Sequence, residues 1–167
     1  MDRLSNTLAR TNRSSHELAV LFCDLDGFKA VNEDGGHEAG DAVLEATATR
    51  LLATLRAEDT AARVGGDSFV VIVEPSSRTW AGPDGAPIDV RAYAVQLAER
   101  IEAALAVPVD FDGHEYAVTV SIGLTFAHAG DDVEDVLAQA GAAMYRAKSL
   151  GKNRHEIATG LLGTPVS

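Results

Sequence analysis

The chain has 167 residues, 46% of them apolar and 23% charged, which is enough for one domain with a full core and too few for two. Its 14 Lys and Arg against 25 Asp and Glu leave a net charge of −11 and a pI near 4.7, an acidic balance that argues against nucleic acid polymers and anionic membranes as partners. A single cysteine, Cys23, excludes a disulfide framework and a Cys-rich zinc site. The absence of a membrane-length apolar run and of a signal-peptide core points to a reducing, cytoplasmic setting.

Taken in chain order, Leu4 to Arg13 reads as the end of a helix within a segment, residues 1–16, that has no fold of its own. Leu18 to Cys23 is a continuous apolar run, as expected of a strand buried on both faces, and it stops at Asp24-Leu25-Asp26-Gly27. Phe28 to Asn32 reads as a short helix broken by Gly35-Gly36. From Glu38 to Arg56 the residues Val43, Leu44, Ala48, Leu51, Leu52 and Leu55 recur at helical spacing. Thr60 to Val64 and Phe69 to Val73 form two strands joined by Gly65-Gly66-Asp67-Ser68, a hairpin signal.

Pro75 to Pro87, with Trp80, reads as a surface loop. Val90 to Leu105 predicts an amphipathic helix, Val107 to Phe111 a strand, Asp112-Gly113 a turn and Tyr116 to Phe126 a long strand. Asp131 or Asp132 caps a helix running to about Leu150, and its acidic first turn suits the helix dipole. Lys152 to Ile157 adds an edge strand, and the tail at 159–167 is frayed. The expected architecture is α+β over residues 17–158. It has a ferredoxin-like or palm-type βαββαβ core, with a central antiparallel sheet flanked by helices as in nucleotide cyclases.

Asp24 ends a buried strand and Asp67 lies in a hairpin tip, neighbours in a palm-type sheet. Two carboxylates, a backbone carbonyl and phosphate oxygens suit Mg²⁺ or Mn²⁺, and a nucleotide carried by the metal escapes the argument from net charge. The chemistry of such a site is in-line attack of a hydroxyl on an α-phosphate. Gly65 and Gly66 leave room for a phosphate at the tip. Taken singly, Asp24 could instead cap a turn and Asp67 fill a hairpin.

The residues Leu21 to Asn32 are similar to the opening motif of GGDEF domains, the diguanylate cyclases. Arg63 to Phe69 resembles their signature hairpin (Gly65, Gly66, Asp67, Ser68, Phe69), with serine where the family has glutamate. Gly36-His37, Gly40-Asp41, Ser121-Ile122-Gly123, Ala143 to Lys148 and Gly151 to Arg154 also fit, in order. The resemblance covers about Leu18 to Arg154. It implies condensation of two GTP molecules into cyclic di-GMP and pyrophosphate by a face-to-face homodimer.

The resemblance also implies that Asp24, Asp67 and the Leu25 carbonyl hold the metal, while Asn32 and Asp41 read the guanine edge. Phe28, Lys29, Lys148 and Lys152 then line the phosphates, Phe28 and Gly36 shape the pocket, and Asp67 and Lys29 take part in catalysis, Asp67 beside the attacking 3′-hydroxyl. Arg56 and Asp59 resemble the family's inhibitory site for cyclic di-GMP, where an arginine fork meets phosphates and bases. By chance such an R-x-x-D string is also a solvated helix end.

Two departures bear on function. Ser68 removes a negative charge and cannot replace a carboxylate as ligand or base, which implies weakened turnover with GTP binding retained. The family's D-x-L-T-G-L-x-N-R opening is missing ahead of Asp2, and Asp2 to Arg13 looks like the helix that follows it. Gly141 stands where aspartate is common. Ala98 to Tyr116 resembles domains fused to phosphodiesterases, so flanking sensory or phosphodiesterase domains are expected in a longer parent.

The remaining residues have plainer roles. His37 tightens a loop; His16, His114, His128 and His155 are solvated; Cys23 fills core; Met144 and Tyr145 pack a helix. Three rival readings stand beside this one. A haloacid-dehalogenase-type phosphatase would use Asp24 as nucleophile, but its repeated βα units do not match the hairpins here. An adenylyl cyclase-like palm enzyme shares the metal logic, yet Asn32 and Asp41 favour guanine. A non-catalytic receptor would bind GTP at Asp24 or cyclic di-GMP at Arg56.

Overall fold

The computed structural model describes residues 17–74, 89–128 and 130–159. The expected N-terminal helix, the loop with Trp80, His16 and the tail from Gly160 lie outside them. The elements in order are β1 (Leu18–Asp26), α1 (Phe28–Thr54), β2 (Thr60–Gly65), β3 (Ser68–Val73), α2 (Val90–Leu105), β4 (Val109–Phe111), β5 (His114–Tyr116), β6 (Thr119–Ala127), α3 (Val133–Ser149) and β7 (Arg154–Ile157).

Five strands form one sheet in the order β2-β3-β1-β6-β7, and β4 pairs with β5 apart from it. β1 is antiparallel to both β3 and β6, while β7 lies parallel to β6. The sheet is therefore mostly antiparallel, with the expected βαββαβ core and one parallel edge strand added through α3.

The alternation of side chains along β1 sorts the interior into two layers. Ala19, Leu21, Cys23 and Leu25 join the core under α1 and α2. Leu18 and Val20 join Val70, Ile72, Val136 and Ala140 under α3. Asp24 and Asp26 share the parity of the second set, so both carboxylates belong to the α3 side of the sheet. Cys23 is buried, as expected of core filler, and burial pushes its thiol up to about 12.

Four sequence expectations are corrected by the coordinates. β1 does not stop at Cys23 but continues to Asp26, because β6 keeps pairing with it down to Asp26↔Thr119. The break expected at Gly35-Gly36 is present: α1 is two helical stretches meeting at Gly36, whose φ of +74° interrupts the helix and is open to glycine. The long strand expected at Tyr116 to Phe126 is split into β5 and β6. Asp112 and Gly113, both at positive φ, turn β4 directly into β5, the geometry a two-residue hairpin demands. Tyr145 is exposed rather than packed, and His155 is half-buried with Nδ1 2.8 Å from Glu102 Oε1 rather than solvated.

Helix ends follow local chemistry. Asp132 caps α3 by accepting from the Glu134 and Asp135 amides, and Arg146 and Lys148 occupy its last turn, where the dipole favours cations.

Candidate functional site

The site forms where β1, the β2–β3 tip and the C-terminal turn of α3 meet. Asp24 pairs in register with Ser68 of β3, so their side chains lie on the same face. The Ser68 hydroxyl donates to Asp24 Oδ2 at 2.7 Å. On the other oxygen, Lys148 Nζ stands 2.5 Å from Asp24 Oδ1. The hairpin tip is bonded to β1 one residue further on, where the Leu25 amide donates to the Asp67 carbonyl at 3.2 Å. Arg63 Nε donates to the Gly66 carbonyl at 2.7 Å and tightens the same tip.

Asp24 and Asp67 interact as like charges. Burial first, and the charge of Asp24 second, hold the Asp67 carboxyl above its ordinary 3.8, against the opposing pull of its own backbone amide, Lys148 and Arg63. A divalent cation between the two carboxylates would reverse that repulsion, so the donor set fits Mg²⁺ or Mn²⁺. Among the described residues no three His, Cys, Asp or Glu gather into a metal group. Two protein carboxylates with phosphate oxygens completing the shell is the arrangement Mg²⁺ favours over an all-protein cage.

Asn32 and Asp41 lie on α1 on either side of the Gly36 kink. Asn32 Oδ1 closes over Gly40, 2.0 Å from where a Cβ would stand, with the Phe28 ring beside it. Asp41 opens onto a groove of about 360 Å³ between α1 and the β2–β3 hairpin, lined by Leu44, Ala48, Leu52, Ala62 and Arg63. Lys29 is not gathered into the carboxylate cluster; it is 89% exposed and pairs with Glu33 at 3.4 Å. Lys152 is exposed, at positive φ in the turn after α3.

Arg56 and Asp59 stand apart from this cluster, beyond the end of α1. Asp59 Oδ2 accepts from the Arg56 amide at 3.0 Å and from the Tyr93 hydroxyl at 2.9 Å. The Arg56 guanidinium stacks 3.9 Å from the Tyr93 ring centroid. The pair is therefore an ordered cluster on α2, not a solvated helix end. Tyr93 carries no motif signal in the sequence.

Asp26 carries no assigned role in the sequence motifs. Its carboxylate is 6% exposed and accepts from Thr119 Oγ1 and Ser121 Oγ, both at 2.8 Å, and from the Asn153 amide at 3.1 Å. Lys148 Nζ is 3.8 Å away. The available signal was the D-x-D spacing inside a strand, which puts both carboxylates on one face.

Residues 1–154 match the family model described as diguanylate cyclase, GGDEF domain. The bifunctional diguanylate cyclase/cyclic di-GMP phosphodiesterase MucR of Pseudomonas aeruginosa is 39% identical over 91% of this chain and 20% of its own length. Diguanylate cyclase DgcP of the same organism is 38% identical over 94% of this chain and 22% of its own. The crystal structure of the GGDEF domain of PA1120 (YfiN or TpbB) from Pseudomonas aeruginosa superposes with a TM-score of 0.80 at 34% identity, covering 95% of this chain and 92% of that one. The chain thus spans about a fifth of the length of these two curated relatives.

Proposed function

The chain belongs to the GGDEF family of diguanylate cyclase domains, and on that footing we propose that it binds GTP with Mg²⁺ and condenses two GTP into cyclic di-GMP at a reduced rate, as a homodimer. The observation that carries the reading is the meeting of Asp24, Asp67 and Lys148 at the end of β1.

Asp24 and Asp67, with the Leu25 carbonyl, would hold the metal. Bound there, Mg²⁺ supplies charge neutralisation to the triphosphate and to the oxygens that gain charge at the α-phosphorus. Lys148 exchanges its contact with Asp24 for the phosphates, and Lys152 and Lys29 close on them from the exposed side. The Asn32 amide and Asp41 carboxylate pair with the guanine edge, which offers adjacent N1–H and amino donors that adenine lacks. The 3′-hydroxyl of one GTP attacks the α-phosphorus of the other. The new P–O bond forms as one pyrophosphate leaves, the reciprocal attack by the second 3′-hydroxyl closes the ring and releases a second pyrophosphate, and each hydroxyl proton passes to a base, the role proposed for Asp67. Each active site needs the second nucleotide, hence the dimer.

Reduced turnover follows from Ser68, which offers Asp24 a hydroxyl where a glutamate would offer a second carboxylate. The same contact favours a second reading, a regulatory domain that binds GTP at Asp24, or cyclic di-GMP at Arg56 and Asp59, without turnover. The length of the relatives supports a parent protein with further sensory or phosphodiesterase domains. No helix among the described residues is long and apolar enough to cross a membrane.

The deciding experiment measures cyclic di-GMP formation from GTP and Mg²⁺ for the chain and for Ser68→Glu, beside calorimetric titration with each nucleotide. GTP binding by both, slow product formation by the native chain and about tenfold or more acceleration in the variant are expected. Equal, strong activity in both refutes the role given to Ser68. Binding with no product in either supports the receptor, and failure to bind GTP refutes the nucleotide reading.

A further inference from the structure

We propose that Asp26 is a positioning residue for the triphosphate end of the site, holding Lys148 and the Lys152–Asn153 turn against Asp24 without itself binding metal or nucleotide. The proposal rests on the nucleotide reading above and adds a role that neither the carboxylate pair nor the hairpin tip supplies.

Its geometry sets Asp26 apart from Asp24. Asp24 meets one hydroxyl and the Lys148 ammonium and its side chain is 16% exposed, whereas Asp26 accepts from three donors fixed on other elements and its side chain is 5% exposed. Oδ1 accepts from Ser121 and faces Lys148 Nζ at 3.8 Å; Oδ2 accepts from Thr119 and from the Asn153 amide. These donors come from β6 and from the turn leading out of α3, so one buried group ties three parts of the chain at the same point. A carboxylate so buried is tolerable only because each oxygen has donors and a cation lies close by.

Two lysines depend on that knot. Lys148 Nζ lies between Asp26 and Asp24, 3.8 Å from the first and 2.5 Å from the second, so the fixed carboxylate keeps the ammonium in reach of the functional one. Lys152 lies in a turn in which Gly151, Lys152 and Asn153 all have positive φ, a conformation that two side-chain-bearing residues adopt only under constraint. The Lys152 amide bonds the Ala147 carbonyl at 3.0 Å and the Asn153 amide bonds Asp26. Loss of the Asp26 charge therefore loosens both cations, while Asn32 and Asp41, on α1, are not part of the knot.

The test compares GTP with GMP as competitors for a fluorescent guanine nucleotide, in Mg²⁺, on the native chain, Asp26→Asn, Lys148→Ala and the double variant. Positioning through phosphate-facing cations predicts that Asp26→Asn weakens GTP by about 10- to 100-fold. GMP should weaken far less, so the preference for GTP over GMP falls. General loosening of the fold would lower both nucleotides together and leave that preference intact. Asp26→Asn should cost less in the Lys148→Ala background than in the native chain, retaining only its effect through the Lys152–Asn153 turn.

An unchanged GTP-to-GMP preference, or fully additive effects of the two substitutions, overturns the proposal while leaving the nucleotide site standing. A native chain that binds neither nucleotide overturns both. Should Asp26→Asn fail to fold, Thr119→Val removes one donor and keeps the charge. It should shift the same preference in the same direction by a smaller factor, and no shift refutes the proposal.

Discussion

Ser68 lies directly opposite Asp24 in the β1–β3 ladder and donates its hydroxyl to Asp24 Oδ2. The position at which the chain differs from the signature it resembles is thus in contact with the carboxylate proposed to hold the metal. A change at residue 68 acts on Asp24 itself.

That contact sets the expected behaviour of Ser68→Glu in the absence of nucleotide. Like charges directly opposite in a ladder destabilise by roughly 0.2–1 kcal/mol, so the variant should melt below the native chain in EDTA. Millimolar Mg²⁺ should then raise the variant's Tm by more than the native chain's. Thermal melts with and without the metal check this, and identical Mg²⁺ responses would contradict it.

Asp67 gives a pH dependence with a defined sign. Its folded carboxyl sits above the unfolded value of 3.8, so the folded chain binds the proton more tightly. Below 3.8 the group costs nothing; the penalty grows as pH rises through the raised folded value and is complete above it. Asp67→Asn should therefore be more stable than the native chain at neutral pH, with the gain closing as pH falls to the ordinary carboxylate value. Denaturation midpoints across that range measure the effect.

Gly123 is the point where α3 touches β6. A Cβ there would stand 1.9 Å from the Ala140 carbonyl oxygen and 2.3 Å from the Met144 amide, both backbone atoms. Gly123→Ala should lift α3 and destabilise by about 2–3 kcal/mol. Because α3 carries Lys148, GTP binding should weaken in the fraction that stays folded, which a titration at low temperature would detect.

Tyr93 should remain a phenol far into alkaline solution. Burial, then the charge of and hydrogen bond to Asp59, push it up to about 12. A raised acid contributes stability that fades as pH climbs from 10 toward 12. Tyr93→Phe keeps the ring under Arg56 but removes the donor to Asp59, at a cost of about 1–3 kcal/mol. An ultraviolet titration of the phenol and a denaturant melt of the variant test the two statements.

Cys23 should be silent to thiol reagents in the folded chain. Its thiol is buried and ionises only near 12, so the reactive thiolate is scarce and screened. Labelling by iodoacetamide should follow unfolding, and native labelling at the rate of a free thiol would show that β1 opens.

The sequence by itself determined most of the element types, the sheet class and three of the residues that meet at the end of β1, because these depend on local pattern. The apolar run at Leu18 marks the buried strand, the helical spacing after Glu38 marks α1, and the glycines before Asp67 mark the tip. Asp24, Asp67 and Lys148 were all legible as motif residues.

Only tertiary structure decided what each carboxylate does. The register of β1 against β3 and β6 makes Ser68 the partner of Asp24 and gives Asp26 its hydroxyl donors, and register is a long-range property that no local window contains. The packing of α3 brings Lys148 between Asp24 and Asp26, and the approach of α2 puts Tyr93 between Arg56 and Asp59. Two aspartates spaced by one residue look alike in the sequence. In the fold Asp24 lies between Ser68 and Lys148 with its side chain 16% exposed, while Asp26 is closed in by three donors at 5%.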